Sequence, residues 1–378
     1  MLSSEQFRSH FPALQRHVWL DTPASPPAAL GVAHALQTAL DSWLYGELDW
    51  REWDHAPVAS KTAVARLLGI AEEQAGERIA VMGSTAEAAA TVAGSLPPGR
   101  IVVPAQEFRS NLFPWLQLEA AGHEVVLVPP RDGHTRTEDL VAALDTRTVL
   151  LAISDVLSID GHRADLPALR QATDGVGARL FVDATQSLGA LHLDMERVRP
   201  DYLAVHGYKW MLCPRGAAWL VTAPERIDEL VPLLPNWKST APPHAFFGGP
   251  YVRADSAARC DTSPAWLSWV GALPALNLLL DLDAEQVERH CLRLAADFRA
   301  HVAETKAGIP LPSSQSHIAV VRVTDPDAVR VRLARDGVRA TLLGDRLRVG
   351  FHYFNNSSDV ERAANALEGA RTPWQKTS

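Results

Sequence analysis

The chain has few cysteines, no long apolar run and no cluster of basic residues. Its 378 residues include three cysteines, Cys213, Cys260 and Cys291, which lack metal-ligand spacing and cannot build a disulfide framework. No window approaches the roughly 20 apolar residues of a membrane span, and the polar N-terminus has no signal-like apolar stretch. The net charge is −8 and Lys and Arg form no run, which argues against a nucleic-acid surface. We therefore expect a soluble cytoplasmic protein with no metal site.

Apolar residues are plentiful, at 47% of the chain, and they occur in short runs separated by helical stretches. Most of the runs are apolar throughout rather than alternating, as expected of strands buried on both faces. Their alternation with helical spacing predicts an α/β fold with a large, mainly parallel seven-stranded sheet. The predicted strands are residues 78–82, 101–104, 125–128, 149–153, 180–182, 202–205 and 217–221.

The remainder of the chain predicts a long loop and a small C-terminal α/β domain. Residues 232–250 are rich in Pro and Gly, and loops of this length are usually functional or disordered. Alternating charged and apolar residues in 346–351 predict a strand at an exposed edge. We expect a large cofactor-binding domain over 16–260, with 1–15 and 261–378 forming the small domain. The other predicted elements are strand 318–323 and helices from 266, over 283–305, near 326–335 and near 358–368.

Two charged residues each follow an apolar run closely. Asp183 comes directly after the run 180–182, and Lys209 lies four residues beyond the run 202–205. Ligands of open α/β sheets bind beyond the carboxyl ends of the strands. Singly, such residues are more often solvated charges or turn formers. Together they can hold pyridoxal phosphate, because a lysine forms an imine with its aldehyde and an aspartate keeps its ring nitrogen protonated.

The full segments around these two residues, Leu180-Phe-Val-Asp-Ala-Thr-Gln and Asp201-Tyr-Leu-Ala-Val-His-Gly-Tyr-Lys-Trp-Met, resemble the class V aminotransferase superfamily. That group contains cysteine desulfurases, kynureninase and isopenicillin N epimerase-like enzymes. The resemblance extends over nearly the whole chain, from residue 19 to 355. It implies a fold-type I architecture, pyridoxal 5'-phosphate as cofactor and Lys209 as the catalytic residue, with Asp183 paired to the ring nitrogen.

The same resemblance implies further cofactor contacts. Ser84 and Thr85 match the family's phosphate turn, where a helix N-terminus favours an anion; an ordinary helix cap is the alternative. Phe108 stands where the cofactor ring is stacked and where desulfurases have His, which points toward the kynureninase and epimerase branches. Gln186 matches the residue that hydrogen-bonds the phenolic oxygen of the cofactor.

Contacts with the phosphate and with a second subunit are implied as well. His206 and Tyr208 match phosphate-binding positions, although His206 could be a simple strand-end histidine. Thr262 resembles a threonine that reaches the phosphate of the neighbouring subunit, which implies a homodimer with shared active sites; Asp261 stands where Gly is common. The aromatic residues within 43–53 line either the substrate entrance, a dimer contact or the core.

Substrate recognition is expected to depend on an arginine in the last strand. Arg348 matches the family's carboxylate-binding arginine, whose guanidinium grips a carboxylate through two hydrogen bonds. Arg346 lies on the same face of the strand and is the alternative. Registering the preceding segment on Gly161 places Ser158 where relatives have an Asn that touches cofactor or carboxylate. The other register would place Asp155 there, where a free carboxylate would repel an amino-acid substrate.

The resemblance leaves the reaction open but argues against a persulfide-forming desulfurase. Residues 338–346 run into the last strand with neither a cysteine nor room for the loop that carries the sulfur acceptor. Cys213 and Cys260 are expected to be buried apolar thiols. The leading hypothesis is a C–S lyase acting on a cysteine S-conjugate in secondary metabolism such as antibiotic biosynthesis. The alternatives are a decarboxylating oxidative deaminase, an epimerase or aminotransferase, and, least favoured, a non-enzymatic cofactor-binding protein.

Overall fold

The computed structural model describes residues 1–241, 246–312 and 315–370. Short apolar runs form its strands, and each predicted run of the large sheet becomes a strand whose ends differ from the prediction by one residue at most. The described strands are β1 (Val18–Trp19), β2 (Ile79–Met82), β3 (Arg100–Pro104), β4 (Glu124–Val128), β5 (Thr148–Ser154), β6 (Arg179–Asp183), β7 (Tyr202–His206), β8 (Ala218–Thr222), β9 (Ile309–Pro310), β10 (Ile318–Arg322), β11 (Val338–Arg339), β12 (Thr341–Leu343) and β13 (Arg346–Gly350).

The large sheet has seven strands in the order β2-β8-β7-β6-β5-β3-β4. Strand β8 is antiparallel to both neighbours, β2 and β7, and the other pairs are parallel. In β6, Leu180 and Val182 enter the core on one face while Phe181 enters a second core on the other. Burial on both faces explains the unbroken apolar runs. The predicted fold, a large and mainly parallel seven-stranded sheet of fold-type I, is confirmed.

Helices cover both faces of this sheet and pack against a smaller one. Several helices begin at side-chain caps, among them Ser84 and Asp165. The described helices are α1 (Ser4–Ser9), α2 (Leu30–Leu44), α3 (Trp50–Trp53), α4 (His55–Leu67), α5 (Ala75–Arg78), α6 (Thr85–Ala93), α7 (Phe113–Leu116), α8 (Thr137–Ala143), α9 (Leu166–Val176), α10 (Met195–Val198), α11 (Trp266–Leu280), α12 (Ala284–Thr305), α13 (Pro326–Arg335) and α14 (Ser357–Gly369). Among them no single helix is long and apolar enough to cross a membrane, and the pair α11 and α12, which together would be, is bent by 89°.

A second sheet, in the order β12-β13-β10-β9, is antiparallel throughout. Strand β13 lies inside this sheet, so the prediction of an exposed edge strand is wrong. Its alternating pattern has another cause: Leu347 and Val349 enter the core of the small sheet, whereas Arg348 is buried against residue Ser158 of the large-sheet region. The limits predicted for the two domains stay a prediction.

The predicted loop over 232–250 contains no helix or strand in its described part, and residues 242–245 lie outside the described residues. Strand β1 pairs with β11, so the N-terminal segment is held against the region of the small sheet. The chain then passes through Asp21 and Pro23 beside Gly350 of β13. This N-terminal segment therefore approaches the end of β13, two residues from Arg348.

Candidate active site

Lys209 and Asp183 lie in one cavity of about 230 Å³. The cavity lies beyond the carboxyl ends of β5, β6 and β7, where ligands of open α/β sheets bind. The structure brings most of the predicted cofactor residues to this place. The cavity is lined by Ser84, Thr85, Ala86, Phe108, Ser110, Ser154, Ser158, Asp183, Thr185, Gln186, His206, Tyr208, Lys209 and Arg215.

The amine of Lys209 is buried beside two aromatic rings. Its Nζ lies 5.3 Å from the ring centroid of Phe108 and 5.5 Å from that of Tyr208. Burial lowers the pKa of Lys209 to about 8, although the nearby carboxylate of Asp183 opposes this shift. An amine with this pKa is partly neutral near physiological pH, so it can act as a nucleophile toward an aldehyde and can accept or donate a proton.

Asp183 ends β6 and is buried at the wall of the cavity. Its Oδ1 accepts the backbone N–H of Thr185 at 2.9 Å, and burial raises the pKa of the carboxyl group above its usual range. Such a group is suited to share a proton with the nitrogen of a pyridine ring, since a buried carboxylate gains most from a cationic partner. This environment fits the role predicted for Asp183 toward pyridoxal phosphate.

Hydroxyl groups and a helix N-terminus form the end of the cavity predicted to hold the phosphate. The Ser84 Oγ accepts the backbone N–H of Glu87 at 3.2 Å, so Ser84 caps α6 as well as lining the cavity. The hydroxyls of Thr85 and Thr185 lie 3.0 Å apart and bond to each other. A helix N-terminus that carries hydroxyl groups is a suitable anion site, so these residues fit a phosphate group.

His206 contributes a neutral ring at the same end. Its Nε2 accepts the backbone N–H of Gly216 at 3.3 Å, and burial together with the cations Arg215 and Lys209 lowers its pKa to about 4. In a neutral imidazole the other nitrogen carries the hydrogen, so Nδ1 of His206 is a donor. The ring of Tyr208 meets His206 edge to face, with 4.5 Å between centroids, and burial raises the pKa of the Tyr208 phenol. Both side chains can therefore donate hydrogen bonds.

Phe108 is held in place by the carboxylate of Glu107. The Phe108 ring is 48% exposed and faces the cavity beside Lys209, whereas its backbone N–H donates to Glu107 Oε1 at 2.8 Å. The same carboxylate accepts the hydroxyl of Ser154 at 2.6 Å and its backbone N–H at 2.8 Å, which ties this segment to the end of β5. Burial raises the pKa of Glu107 to about 7, and the charge of Asp183 adds to this shift.

Ser158 joins Gln186 to Arg348. The Ser158 Oγ accepts one hydrogen bond from Gln186 Nε2 and one from Arg348 Nη1, both at 2.8 Å, and the backbone carbonyl of Ser158 also accepts from Arg348 Nη1 at 2.7 Å. Of the two registers, the one that uses Ser158 corresponds to the cavity lining. Asp155 instead lines a different cavity, beside Arg163.

Arg348 is buried next to Ser158, a residue of the cavity lining, and Asp21 lies close enough to interact with the charge of Arg348. Burial lowers the pKa of the guanidinium, and its Nε has no hydrogen-bond partner among the described residues. A buried cation with an unused donor is prepared to bind a carboxylate. Arg346 begins β13 near Asp160 and does not line the cavity.

Two predicted groups lie outside this cavity. Thr262 bonds to the carbonyl of Val81 and lines a neighbouring cavity of about 500 Å³ that also contains Gly83 and Gly216. The aromatic segment lies elsewhere again: Trp50 stacks on Trp266 with 5.8 Å between centroids, and Trp43 is exposed. Neither group approaches Lys209 within a single chain.

Some residues of the site were missed from the sequence. Thr185 accepts the backbone N–H of His206 at 3.0 Å, and Arg215 places its guanidinium 4.9 Å from the centroid of the Tyr208 ring. Trp210 contacts Gln186 from behind the cavity. Thr185 stands two residues after Asp183 and could have been inferred from that spacing, whereas a lone arginine after a Pro carries no comparable signal.

Comparison with known proteins identifies the family of this chain. The family model Aminotransferase class-V matches residues 54–323. Uncharacterized aminotransferase YcbU of Bacillus subtilis is 27% identical over 96% of this chain and 97% of its own. Isopenicillin N epimerase of Streptomyces clavuligerus is 26% identical over 82% of this chain and 83% of its own. The structure of the cystine C-S lyase C-DES with cysteine persulfide has a TM-score of 0.84 at 19% identity, covering 95% of this chain and 99% of that one. The chain belongs to the class V aminotransferase family and is a pyridoxal phosphate-dependent enzyme.

Proposed function

We propose that this enzyme is a C–S lyase that acts on a cysteine S-conjugate, as in sulfur-containing secondary metabolism. The observation that carries the proposal is that one site combines a reactive lysine and a carboxylate-binding arginine with the absence of a thiol from its described lining. Lys209 lies in a cavity whose lining residue Ser158 is hydrogen-bonded to the carboxylate-binding candidate Arg348, and no thiol among the described residues lines that cavity. An enzyme so equipped can break a bond to sulfur but has no cysteine to receive the sulfur.

Arg348 would hold the substrate carboxylate and so orient Cα toward Lys209. In the loaded enzyme with substrate bound, the Lys209 amine would accept the proton from Cα. Bound pyridoxal phosphate supplies an electron sink for the electron pair left on Cα. The Cβ–S bond then breaks with its electrons on sulfur, and the thiolate takes up a proton. The conjugate and one water molecule thus give a thiol, pyruvate and ammonia.

The state of the cysteines supports release of a free thiol. All three, Cys213, Cys260 and Cys291, are buried and unpaired. Burial raises the pKa of the Cys260 thiol to about 12 and those of Cys213 and Cys291 further, so none is a thiolate at neutral pH. A persulfide relay requires a reactive thiolate near the scissile bond, and the described structure offers none at the cavity.

The second candidate is an epimerase, which the relative isopenicillin N epimerase favours. An epimerase would return the Cα proton to the opposite face and leave the Cβ–S bond intact. A decarboxylating oxidative deaminase would release carbon dioxide and an aldehyde and would consume an oxidant. An aminotransferase would require a keto acid. These reactions share the early role of Lys209 and differ in their products.

A substrate panel tests the proposal. Purified enzyme with S-alkyl and S-aryl cysteine conjugates in deuterium oxide is expected to release equal amounts of thiol, pyruvate and ammonia, measured by mass spectrometry. Lys209→Ala is the control and should release none. Deuterium at Cα together with inverted configuration and retained sulfur would assign the epimerase. Loss of carbon dioxide with aldehyde formation would assign the deaminase, and a panel without any thiol release would refute the proposed lyase.

We also propose a homodimer in which the two active sites are shared. Thr262 lies outside the cavity of its own chain, yet the neighbouring cavity that it lines includes Gly83, which directly precedes Ser84. Exposed aromatic and aliphatic side chains, including Trp43 and Tyr45, lie on α2 and directly after it and are typical of interface residues. A partner chain seated here could extend its own Thr262 toward the phosphate end of this site.

A further inference from the structure

Trp210, the residue after Lys209, makes a buried hydrogen bond that neither the family nor the proposed reaction accounts for. Its side chain is fully buried, and its Nε1 donates to Oε1 of Gln186 at 2.8 Å. The indole N–H can only donate a hydrogen bond. The indole therefore requires an acceptor, and the carbonyl oxygen of the Gln186 amide must face it.

The orientation of the amide determines the next bond in the series. With Oε1 turned toward Trp210, Nε2 of Gln186 faces the cavity and donates to Ser158 Oγ at 2.8 Å and to the carbonyl of Pro23 at 3.1 Å. If the amide were reversed, an N–H would face the indole N–H, and both Ser158 and Pro23 would lose this donor. The indole thus selects one of two amide orientations that differ little in shape.

The hydroxyl of Ser158 is oriented in turn. Its oxygen accepts from Gln186 and from Arg348, which uses both of its acceptor positions. The hydroxyl hydrogen must therefore point away from both partners. Because Ser158 lines the cavity, this hydrogen is available to a cofactor or substrate oxygen. Reversal of the Gln186 amide would therefore change both the orientation of the Ser158 hydroxyl and the position of the Arg348 guanidinium.

The surroundings of the indole are shaped to hold it in one position. A Cβ at Gly350 would lie 2.8 Å from the Trp210 ring, and a Cβ at Gly189 would lie 2.4 Å from the Trp210 carbonyl oxygen. The ring of His317 meets the indole edge to face at 4.1 Å, and Nε2 of His352 bonds to the Trp210 carbonyl at 2.9 Å. Backbone without side chains and two histidine rings therefore fix this residue from several directions.

We propose that Trp210 is a positioning residue that fixes the Gln186 amide and, through Ser158, the Arg348 guanidinium. It serves two ends of the site, because Gln186 is the predicted partner of the cofactor's phenolic oxygen and Arg348 that of the substrate carboxylate. The role rests on the cofactor and on the hydrogen bonds described above. It holds whichever bond of the substrate is broken, so it stands or falls independently of the lyase proposal.

The test uses Trp210→Phe in the holoenzyme, with Trp115→Phe as the matched control. Trp115 is also fully buried, and its Nε1 also donates to a side-chain amide oxygen, that of Asn111 at 3.2 Å, outside the cavity lining. Both variants should lose similar thermal stability. Only Trp210→Phe should move the pH at which the visible absorbance of the bound cofactor changes, upward by about one unit, because the Ser158 hydroxyl that Gln186 orients would donate less well to the phenolate oxygen.

A second readout follows the substrate end. We expect Trp210→Phe to weaken binding of 3-(methylthio)propanoate, a carboxylate without an amino group, roughly threefold to tenfold by calorimetry, and Trp115→Phe to leave it unchanged. In the background of Ser158→Ala, Trp210→Phe should add little further weakening, since both changes break one series of bonds. Unchanged absorbance and binding in a folded Trp210→Phe enzyme would overturn the inference.

If Trp210→Phe does not fold, a variant that preserves the volume of the indole can be tested instead. A benzothiophene side chain introduced at position 210 retains both rings and replaces only the N–H by sulfur. It should reproduce the upward shift of the absorbance transition and the weaker carboxylate binding. If it behaves as the native enzyme does, the indole N–H has no positioning role.

Discussion

At the scale of single residues, the strongest predictions from the sequence concern Lys209 and Asp183. Both follow apolar runs that become strands of the large sheet, so their location at its carboxyl edge could be inferred locally. The bonds from Ser158 to Arg348 could not, because 190 residues separate the two and only the folded chain brings them together. Trp210 was missed for a related reason: an aromatic residue after the lysine is compatible with any core position.

Burial of Lys209 has a measurable consequence for loading of the cofactor. Only the neutral amine attacks an aldehyde, and burial lowers the pKa of Lys209 to about 8. The rate of covalent incorporation of pyridoxal phosphate into the apoenzyme should therefore rise about tenfold per pH unit below pH 8 and level off above it. Stopped-flow absorbance measures this rate. A rise that continues to pH 10 would indicate an ordinary lysine, and Lys209→Ala should show no visible band at any pH.

Arg348 and Arg346 provide a matched pair of substitutions on one face of β13. Arg348→Ala should raise KM for carboxylate substrates roughly 30- to 150-fold, since charge-assisted hydrogen bonds contribute about 2–3 kcal/mol. Arg346→Ala should change KM by less than about twofold, because a half-buried charge away from the cavity contributes little to binding there. Steady-state kinetics on both variants decides the assignment, and the reverse result would transfer the role to Arg346.

At the scale of elements, the mistaken placement of β13 shows where the pattern of a single strand is ambiguous. An alternation of charged and apolar residues looks the same whether the charged face meets water or a second structural unit. Here β10 and β12 flank the strand and Arg348 faces Ser158. The parallel strands of the large sheet carried no such ambiguity, because burial on both faces produces runs that resemble little else.

The end of β13 is packed so tightly that one methyl group should disturb it. A Cβ at Gly350 would lie 2.5 Å from the ring of Pro23 and 2.8 Å from that of Trp210. We therefore expect Gly350→Ala to lower the free energy of unfolding by about 1–3 kcal/mol. Gly76→Ala in α5 is the control, since nothing lies within 4 Å of its Cβ and alanine favours helix there. Urea denaturation measures both; equal stability of the two variants would contradict the packing.

At the scale of the whole molecule, the predicted sharing of active sites can be tested by mixing an impaired subunit with an inactive one. Thr262→Ala should weaken the phosphate site of the partner chain, and Lys209→Ala should abolish the chemistry of its own. A hybrid dimer of the two contains one site with both residues intact. Subunits mixed after mild unfolding and refolding should show more activity than the same amount of Thr262→Ala subunits alone, with dimers verified by analytical ultracentrifugation. The absence of this gain in verified hybrid dimers would rule out the sharing of Thr262.

The burial of all three thiols determines how this protein would respond to the thiols that the proposed lyase reaction releases. A protein with an exposed thiolate would exchange with the disulfides that form when released thiols meet oxygen. In this chain Cys213, Cys260 and Cys291 stay protonated inside the core, so no thiolate is available to attack a small disulfide while the fold is intact. A thiol reagent would then label these cysteines only as fast as the folded chain opens. The rate of labelling would therefore measure the rate of unfolding.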